Sequence, residues 1–207
     1  MNEGVSVSVN VNPHFRPVAL AHTSRLINHG PTVLVTSTHS GRCNVMAAAW
    51  SMPVEFVPPR ISVVIDKKTF TRELVQASGQ FGLCIPGAGV ARLVHAVGSE
   101  TGRDPGTHGE NVGDKFTRHG MEARPGPVLG VPVLEDGMVA WLECRLIPEP
   151  HTEEAYDTCF AEVVAAAADE RVFSNGRWHF SDQHLDLHTL HYLGGGQFVR
   201  SGAVISL

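Results

Sequence analysis

Cysteine is scarce in this chain. The 207 residues hold four, Cys43, Cys84, Cys144 and Cys159, and no two stand in a C-x-x-C spacing. That excludes a disulfide framework and the usual structural zinc sites, and it fits a reducing, cytoplasmic setting. Cys84, Cys144 and Cys159 fall in strand-like apolar runs, where a free thiol behaves as a small hydrophobe. Basic charge is also short: 16 Lys and Arg against 21 Asp and Glu leave a net charge of −5, and the cations are scattered. A nucleic-acid partner needs them clustered. No apolar run approaches the roughly 18 residues of a membrane helix. Met1 to Asn12 alternates valine with serine and asparagine and has neither a positive n-region nor an apolar h-region, so it is not read as a signal peptide. Missing too are the G-x-S-x-G elbow of serine hydrolases, the G-x-x-x-x-G-K-[ST] phosphate loop and the G-x-G-x-x-G dinucleotide fingerprint.

What the chain does have is a series of short apolar strands. Val33 to Thr38, Ile61 to Asp66, Phe81 to Pro86, Met138 to Ile147 and Tyr156 to Ala166 have the length and spacing of a barrel. A chain of this length buries on the order of 70% of its unfolded surface, and one domain is the default. Helical periodicity is confined to Thr71, Leu74, Val75 and Ser78, stopped by Gly79, and to Val90, Leu93, Val94 and Val97, stopped by Gly98. Ser99 to Pro127 is polar and rich in Gly and Pro, and reads as an ordered functional excursion. Gly194 to Gly196 precede a strand-like segment and read as a sharp turn.

Two blocks carry the chemistry. In GRCNVMAAAWS, Asn44 opens a run of small residues that ends at Trp50, so a ligand can approach the backbone closely beside a large aromatic. The competing reading is a buried strand packed on its neighbour. In DKKTFTREL a helix starts at Thr69 to Thr71, and its free N–H groups with Lys67 and Lys68 favour an anion such as phosphate. Here the alternative is a plain N-cap with solvated lysines.

The order of these motifs resembles the flavin reductase-like, FMN-binding split-barrel family, which includes flavoredoxins and NAD(P)H:flavin oxidoreductases. The matching residues are Pro31 to Thr36, Gly41, Asn44 to Met46, Trp50 with Ser51, Pro58 with Pro59, Phe81 to Pro86, DKF at Asp114 to Phe116, LEC at Leu142 to Cys144, FAEVV at Phe160 to Val164 and HYLGGGQF at His191 to Phe198. The resemblance spans roughly residues 14 to 200, with an N-terminal extension at 1–13 and a tail at 201–207. It implies a mainly β fold with short helices, a split β-barrel, in a homodimer. It implies an oxidoreductase that binds FMN and takes hydride from NADH or NADPH to reduce bound or free flavin. Backbone groups of Val45, Met46, Ala47, Ala48, Ala49 and Trp50 would meet the flavin ring, Asn44 and Ser51 would orient it, Lys67, Lys68, Thr69 and Thr71 would hold its phosphate, and Lys115 and Phe116 would stand on the nicotinamide side. No protein acid or base is required for such a transfer. The alternatives are a flavoredoxin-like carrier reduced by a protein partner, and a non-enzymatic flavin-binding barrel.

The pattern departs from relatives at two places. Cys84, Ile85 and Pro86 stand where N-i-P is common, and Tyr156, Asp157 and Thr158 stand where several reductases have a histidine. Finally, His184, His188 and His191 fall at i, i+4 and i+7, one face if the segment is helical, where three imidazoles suit zinc or iron. No acidic partner completes the set and glycines follow at once, so no metal is assigned, and His191 and Tyr192 are read as flavin-proximal or interfacial.

Overall fold

The computed structural model describes residues 12–103 and 114–206. In chain order its elements are β1 (Phe15–Pro17), α1 (Ser24–Ile27), β2 (Val33–His39), β3 (Arg42–Ala48), β4 (Ser51–Phe56), β5 (Pro59–Val64), α2 (Phe70–Ser78), β6 (Gln80–Pro86), α3 (Ala91–Ser99), α4 (Lys115–Arg118), β7 (Ala123–Pro125), β8 (Pro132–Leu134), β9 (Met138–Ile147), α5 (Pro150–Tyr156), β10 (Thr158–Asp169), β11 (Phe173–Ser174), β12 (Arg177–Trp178), β13 (Leu190–Gly194) and β14 (Gln197–Arg200). The main sheet is antiparallel in the order β3-β2-β6-β9-β10-β5-β4, with β1 added on β10. Among the described residues no ladder joins β3 to β4, although only Ala49 and Trp50 separate them in sequence. The sheet nevertheless wraps on itself: Val33, Val35 and Ala48 from one end share a buried cluster with Ile61 and Val63 from the other. The result is a mainly β, split-barrel architecture with short helices.

Alternation along the strands divides the interior in two. Leu83, Ile85, Leu142, Ala161 and Val163 face the barrel core. Leu34, Val45, Cys84 and Trp141 face an outer core closed by Val94 and Val97 of α3, Phe116 of α4, and Val133 and Leu134 of β8. Cys84 lies in that outer core and its Sγ accepts the Leu134 N–H at 3.4 Å, so this departure from the family pattern is absorbed by packing.

Several boundaries correct the expectations from sequence. The strand expected from Tyr156 begins at Thr158, because Pro150 opens α5 at a position that needs no N–H, and Asp157 closes it in the left-handed region at φ 53°. The strand expected over Ile61 to Asp66 is shifted to Pro59–Val64. The helix expected to stop at Gly98 runs to Ser99, and its reason is packing: a Cβ at Gly98 would lie 3.1 Å from that of Ala47, so the glycine lets α3 approach β3. His184 lies in a kinked 3-10 helix over Asp182–Leu187, His188 follows it in extended backbone, and His191 is on β13, so the three imidazoles do not share a helical face. The triglycine does form the β13–β14 hairpin turn, with all three residues at positive φ. Of the Ser99 to Pro127 excursion, residues 104–113 lie outside the described residues, as do residues 1–11 of the N-terminal extension.

Two polar groups, one buried and one half-buried, secure the frame. The fully buried Glu143 carboxylate accepts N–H bonds from Val128 (2.8 Å), Leu129 (2.7 Å) and Gly130 (3.1 Å), pinning the turn before β8 to β9. Replacing it with leucine leaves those donors unpaired, at about 3 kcal/mol or more in all. Glu143→Leu should therefore lower the melting temperature by roughly 6–12 °C, measured calorimetrically; a drop under about 2 °C would contradict this account.

His29 is the second. Its Nε2 shares a hydrogen bond of 2.9 Å with the Thr189 hydroxyl, and its ring meets those of Trp178 and His191 edge-on. Burial, and then the nearby His191, push it from 6.5 down to about 4. The unfolded chain therefore takes the proton first. The stability that neutral His29 gives is intact above about pH 6.5 and is lost as pH falls towards 4. Denaturant midpoints across this interval should decline in the native protein and decline less in His29→Gln; parallel curves would refute the assignment.

Candidate functional site

The site grows from the gap in the barrel. Because β3 ends the sheet, alternate N–H and C=O groups along it face away from β2 without a strand partner. Its small side chains leave that edge approachable. Ala47, Ala48 and Ala49 form one wall of a cleft of about 210 Å³, α3 supplies a second with Val94, His95, Gly98 and Ser99, and Tyr192 and Phe198 of the β13–β14 hairpin roof it over. The two aromatic rings lie 5.1 Å apart, tilted by 50°. Trp50, expected as the aromatic wall, is 74% exposed and does not line this cleft; Tyr192 and Phe198 take that place. Among the small residues, Ala48 belongs to the barrel core, whereas Ala47 and Ala49 are partly open.

Asn44 lies on the face of β3 that also carries Met46 and Ala48. Asn44 is 2% exposed, and its Nδ2 donates to Thr71 Oγ1 at 2.8 Å. Its Oδ1 is buried without a hydrogen-bond partner among the described residues, and so is Ser51 Oγ. Such orphaned atoms are expensive unless a ligand or water meets them. Val45 is buried in the outer core and Met46 packs against the barrel core, so both offer backbone rather than side chain.

α2 starts where the spacing put it. Thr69 is the N-cap, accepting the Arg72 N–H at 3.2 Å, and Gly79 closes the helix at φ 70°. Thr71 is fully buried in the first turn. Of the two lysines, Lys67 is engaged: its ammonium binds the Glu154 main chain and lies 3.4 Å and 3.9 Å from the Glu154 and Asp157 carboxylates. Lys68 is exposed. Two arginines that sequence reasoning passed over also stand here. Arg42 stacks over Phe70 at 4.2 Å, and Arg103 pairs with Glu73 and donates to the Lys68 carbonyl at 3.1 Å. Arg42 is next to Asn44 on the same strand face, a period-two relation visible in the sequence once β3 is recognised.

Lys115 and Phe116 sit beneath the outer face. The Lys115 ammonium is buried and donates to the Val97 carbonyl at 2.6 Å, near the C-terminal end of α3, where a cation is favoured. Burial brings it down to about 8; Glu100 pulls it upward and Arg118 works with the burial. Phe116 and Cys43 line a second cavity of about 380 Å³. The Cys43 thiol donates to Asp114 Oδ2 at 2.8 Å. Burial, that hydrogen bond and the carboxylate charge push it up to about 12. Asp114 itself is held low: its partial burial is outweighed by hydrogen bonds from Cys43, Thr117 and Phe116. Tyr156, Asp157 and Thr158 contribute nothing to the cleft lining.

Comparison with known proteins bears on the family and the fold. Residues 24–195 match the family model described as a flavin reductase like domain. The uncharacterized protein YddH of Escherichia coli (strain K12) is 54% identical over 190 residues, 91% of this chain and 95% of that one. A crystal structure of an FMN-binding domain of a flavin reductases-like enzyme from Shewanella baltica OS155 superposes with a TM-score of 0.87 at 41% identity, covering 95% of this chain and 99% of that one. Flavoredoxin of Desulfovibrio vulgaris (Miyazaki F) shares the fold, with a TM-score of 0.69 at 20% identity over 100% of this chain and 97% of its own.

The Cys43 environment yields a direct test. At pH 7.5 its thiolate fraction is small, so maleimide should label Cys43 at least about a hundredfold more slowly than a free model thiol. Asp114→Asn should speed labelling; equal rates in native and variant protein would show that the carboxylate does not restrain the thiol.

Proposed function

The chain belongs to the flavin reductase-like family, and on that basis we propose that it is an FMN-dependent oxidoreductase that moves hydride from NADH or NADPH to bound or free flavin. The observations that carry the reading are the alanine-walled cleft on the unpaired edge of β3 and, at residues flanking those alanines in sequence, two buried polar atoms, on Asn44 and Ser51, with no partner among the described residues. A planar, amphipathic ring edged with donors and acceptors suits both halves of that description. FMN, when bound, supplies the electron-accepting chemistry.

The chain's residues do the rest. Backbone groups from Val45 to Trp50 hydrogen-bond the ring edge, since alanine side chains keep nothing between it and the strand. Asn44 and Ser51 set its orientation. The start of α2 receives the phosphate, where the positive end of the helix, Lys68, the Thr71 hydroxyl and the neighbouring Lys67 and Thr69 favour an anion by about 0.3–1 kcal/mol from the dipole alone. Lys115 holds the end of α3 from below, and Phe116 packs in the outer core under α3, so together they keep one cleft wall in place against β3. The Tyr192 and Phe198 rings border the cleft opposite α3.

The cleft is small beside the about 300–1,000 Å³ typical of ligand pockets. A ring seated in it reaches beyond the chain's own surface. Close by, Trp50, Met52, Val54, Phe56 and Val57 are all exposed on or beside β4. A patch of that kind supports a two-fold homodimer that covers the site.

The test is an FMN titration of the apoprotein by flavin fluorescence, followed by anaerobic mixing of the complex with NADH and with NADPH. Micromolar or tighter FMN binding and bleaching by one nucleotide are expected. A protein that ignores FMN removes the reading; one that binds FMN but is bleached by neither nucleotide is a carrier fed by a protein donor. Ala49→Leu places a larger side chain in the cleft and not in the core. It should weaken FMN binding at least about tenfold, or 1.4 kcal/mol, while leaving the melting temperature of the apoprotein within a few degrees.

A further inference from the structure

His95 stands apart from everything used so far. It projects from α3 into the cleft opposite Ala47 to Ala49, and it supplies the one imidazole among the described lining residues. Neither ring nitrogen has a hydrogen-bond partner among the described residues; only the His95 carbonyl is engaged, by Ser99 Oγ at 2.8 Å. The hairpin comes close to it: a Cβ at Gly196 would lie 3.1 Å from His95 Nε2. The imidazole is exposed at the mouth of the cleft, facing the alanines of one wall and the two aromatic rings of the hairpin. Across the cleft the other titratable side chain in the described lining is Tyr192, whose hydroxyl oxygen accepts the Gly196 N–H at 3.3 Å. β3 contributes only alanines there. On its own helix the charged neighbour is Arg92, one turn back, and Glu100, beyond the helix, is taken up by Arg118 and His119.

Hydride addition carries two electrons and one proton onto a neutral oxidised ring, oxidises the nicotinamide, and leaves the ring with one net negative charge. A cation at the edge of the cleft favours that product over the oxidised form. Among the described residues the imidazole has no protein acceptor to serve when protonated. Resting on the FMN-binding reading above, we infer that His95 is a positioning residue that sets the reduction potential of FMN held in this cleft, its imidazolium opposing the charge that reduction creates. The group donates no proton in the transfer and so needs no further reactant. It makes the flavin a better oxidant in acid than in alkali.

The experiment is the midpoint potential of the FMN complex, measured by dye equilibration from about pH 5 to 8, the span in which imidazoles titrate. Native protein, His95→Gln and His95→Lys are compared. At the acid end the native complex should favour reduced FMN about tenfold more than His95→Gln, which is about 30 mV for a two-electron couple. That gap should close towards the alkaline end. His95→Lys should keep the gap open throughout, because its charge persists. The FMN dissociation constant is read in parallel; a purely structural role would move affinity alike at every pH and leave no pH-dependent gap. Native and His95→Gln potentials that run parallel would overturn the inference while leaving FMN binding in place. Failure of all three proteins to take up FMN would remove the reading beneath it as well.

Discussion

A single buried guanidinium holds the functional edge of this molecule together. Arg72, 1% exposed in the first turn of α2, donates to the carbonyls of Ile65 (3.0 Å), Glu153 (3.1 Å) and Asp157 (3.4 Å) and to the Glu153 carboxylate (3.4 Å). Those partners belong to the end of β5, to α5 and to the residue that caps it. A charge taken from water costs several kcal/mol unless its donors are met, and the two terminal nitrogens of Arg72 meet theirs in all three segments, whereas Nε has no partner among the described residues. The turn from Asp66 to Thr71 hangs between them. Thr71 then fixes Asn44, and through it the unpaired edge of β3.

The same logic runs along the outer face. Glu143 gathers three amides to hold the turn before β8, while Lys115 settles on a carbonyl near the end of α3. Each is an ion placed where backbone groups would otherwise be orphaned. α3 is in this way pressed on β3 with Gly98 against Ala47, and the cleft inherits its width from that approach.

Much of this was legible in the sequence, and the reasons are local. β9 was readable to the residue because its apolar run is bounded by Asp136 with Gly137 on one side and Pro148 on the other; α2 was readable from its period and from Gly79. α5 was not, since its seven residues have little apolar period and its stop is an aspartate at positive φ. Gly98 misled for a related reason: glycine serves both as a helix stop and as a point of close contact, and only the partner strand decides which. On the site, the Ala47 to Ala49 wall and the Asn44 and Thr71 positions follow from composition and spacing. Tyr192 was singled out with His191 near the C-terminal glycines, but His95 and Phe198 were not, because tertiary packing brings them from α3 and a late hairpin with no sequence relation to β3.

The split in the barrel has one more consequence. A sheet that stops at β3 on one side and β4 on the other presents two unsatisfied rims, each able to recruit a stray extended segment and seed precipitation. The chain carries gatekeepers at both: Arg42 at the head of one rim, and Pro53 with Glu55 along the other. Where the first rim is left bare, at the alanines, ligand occupancy and colloidal behaviour become the same question.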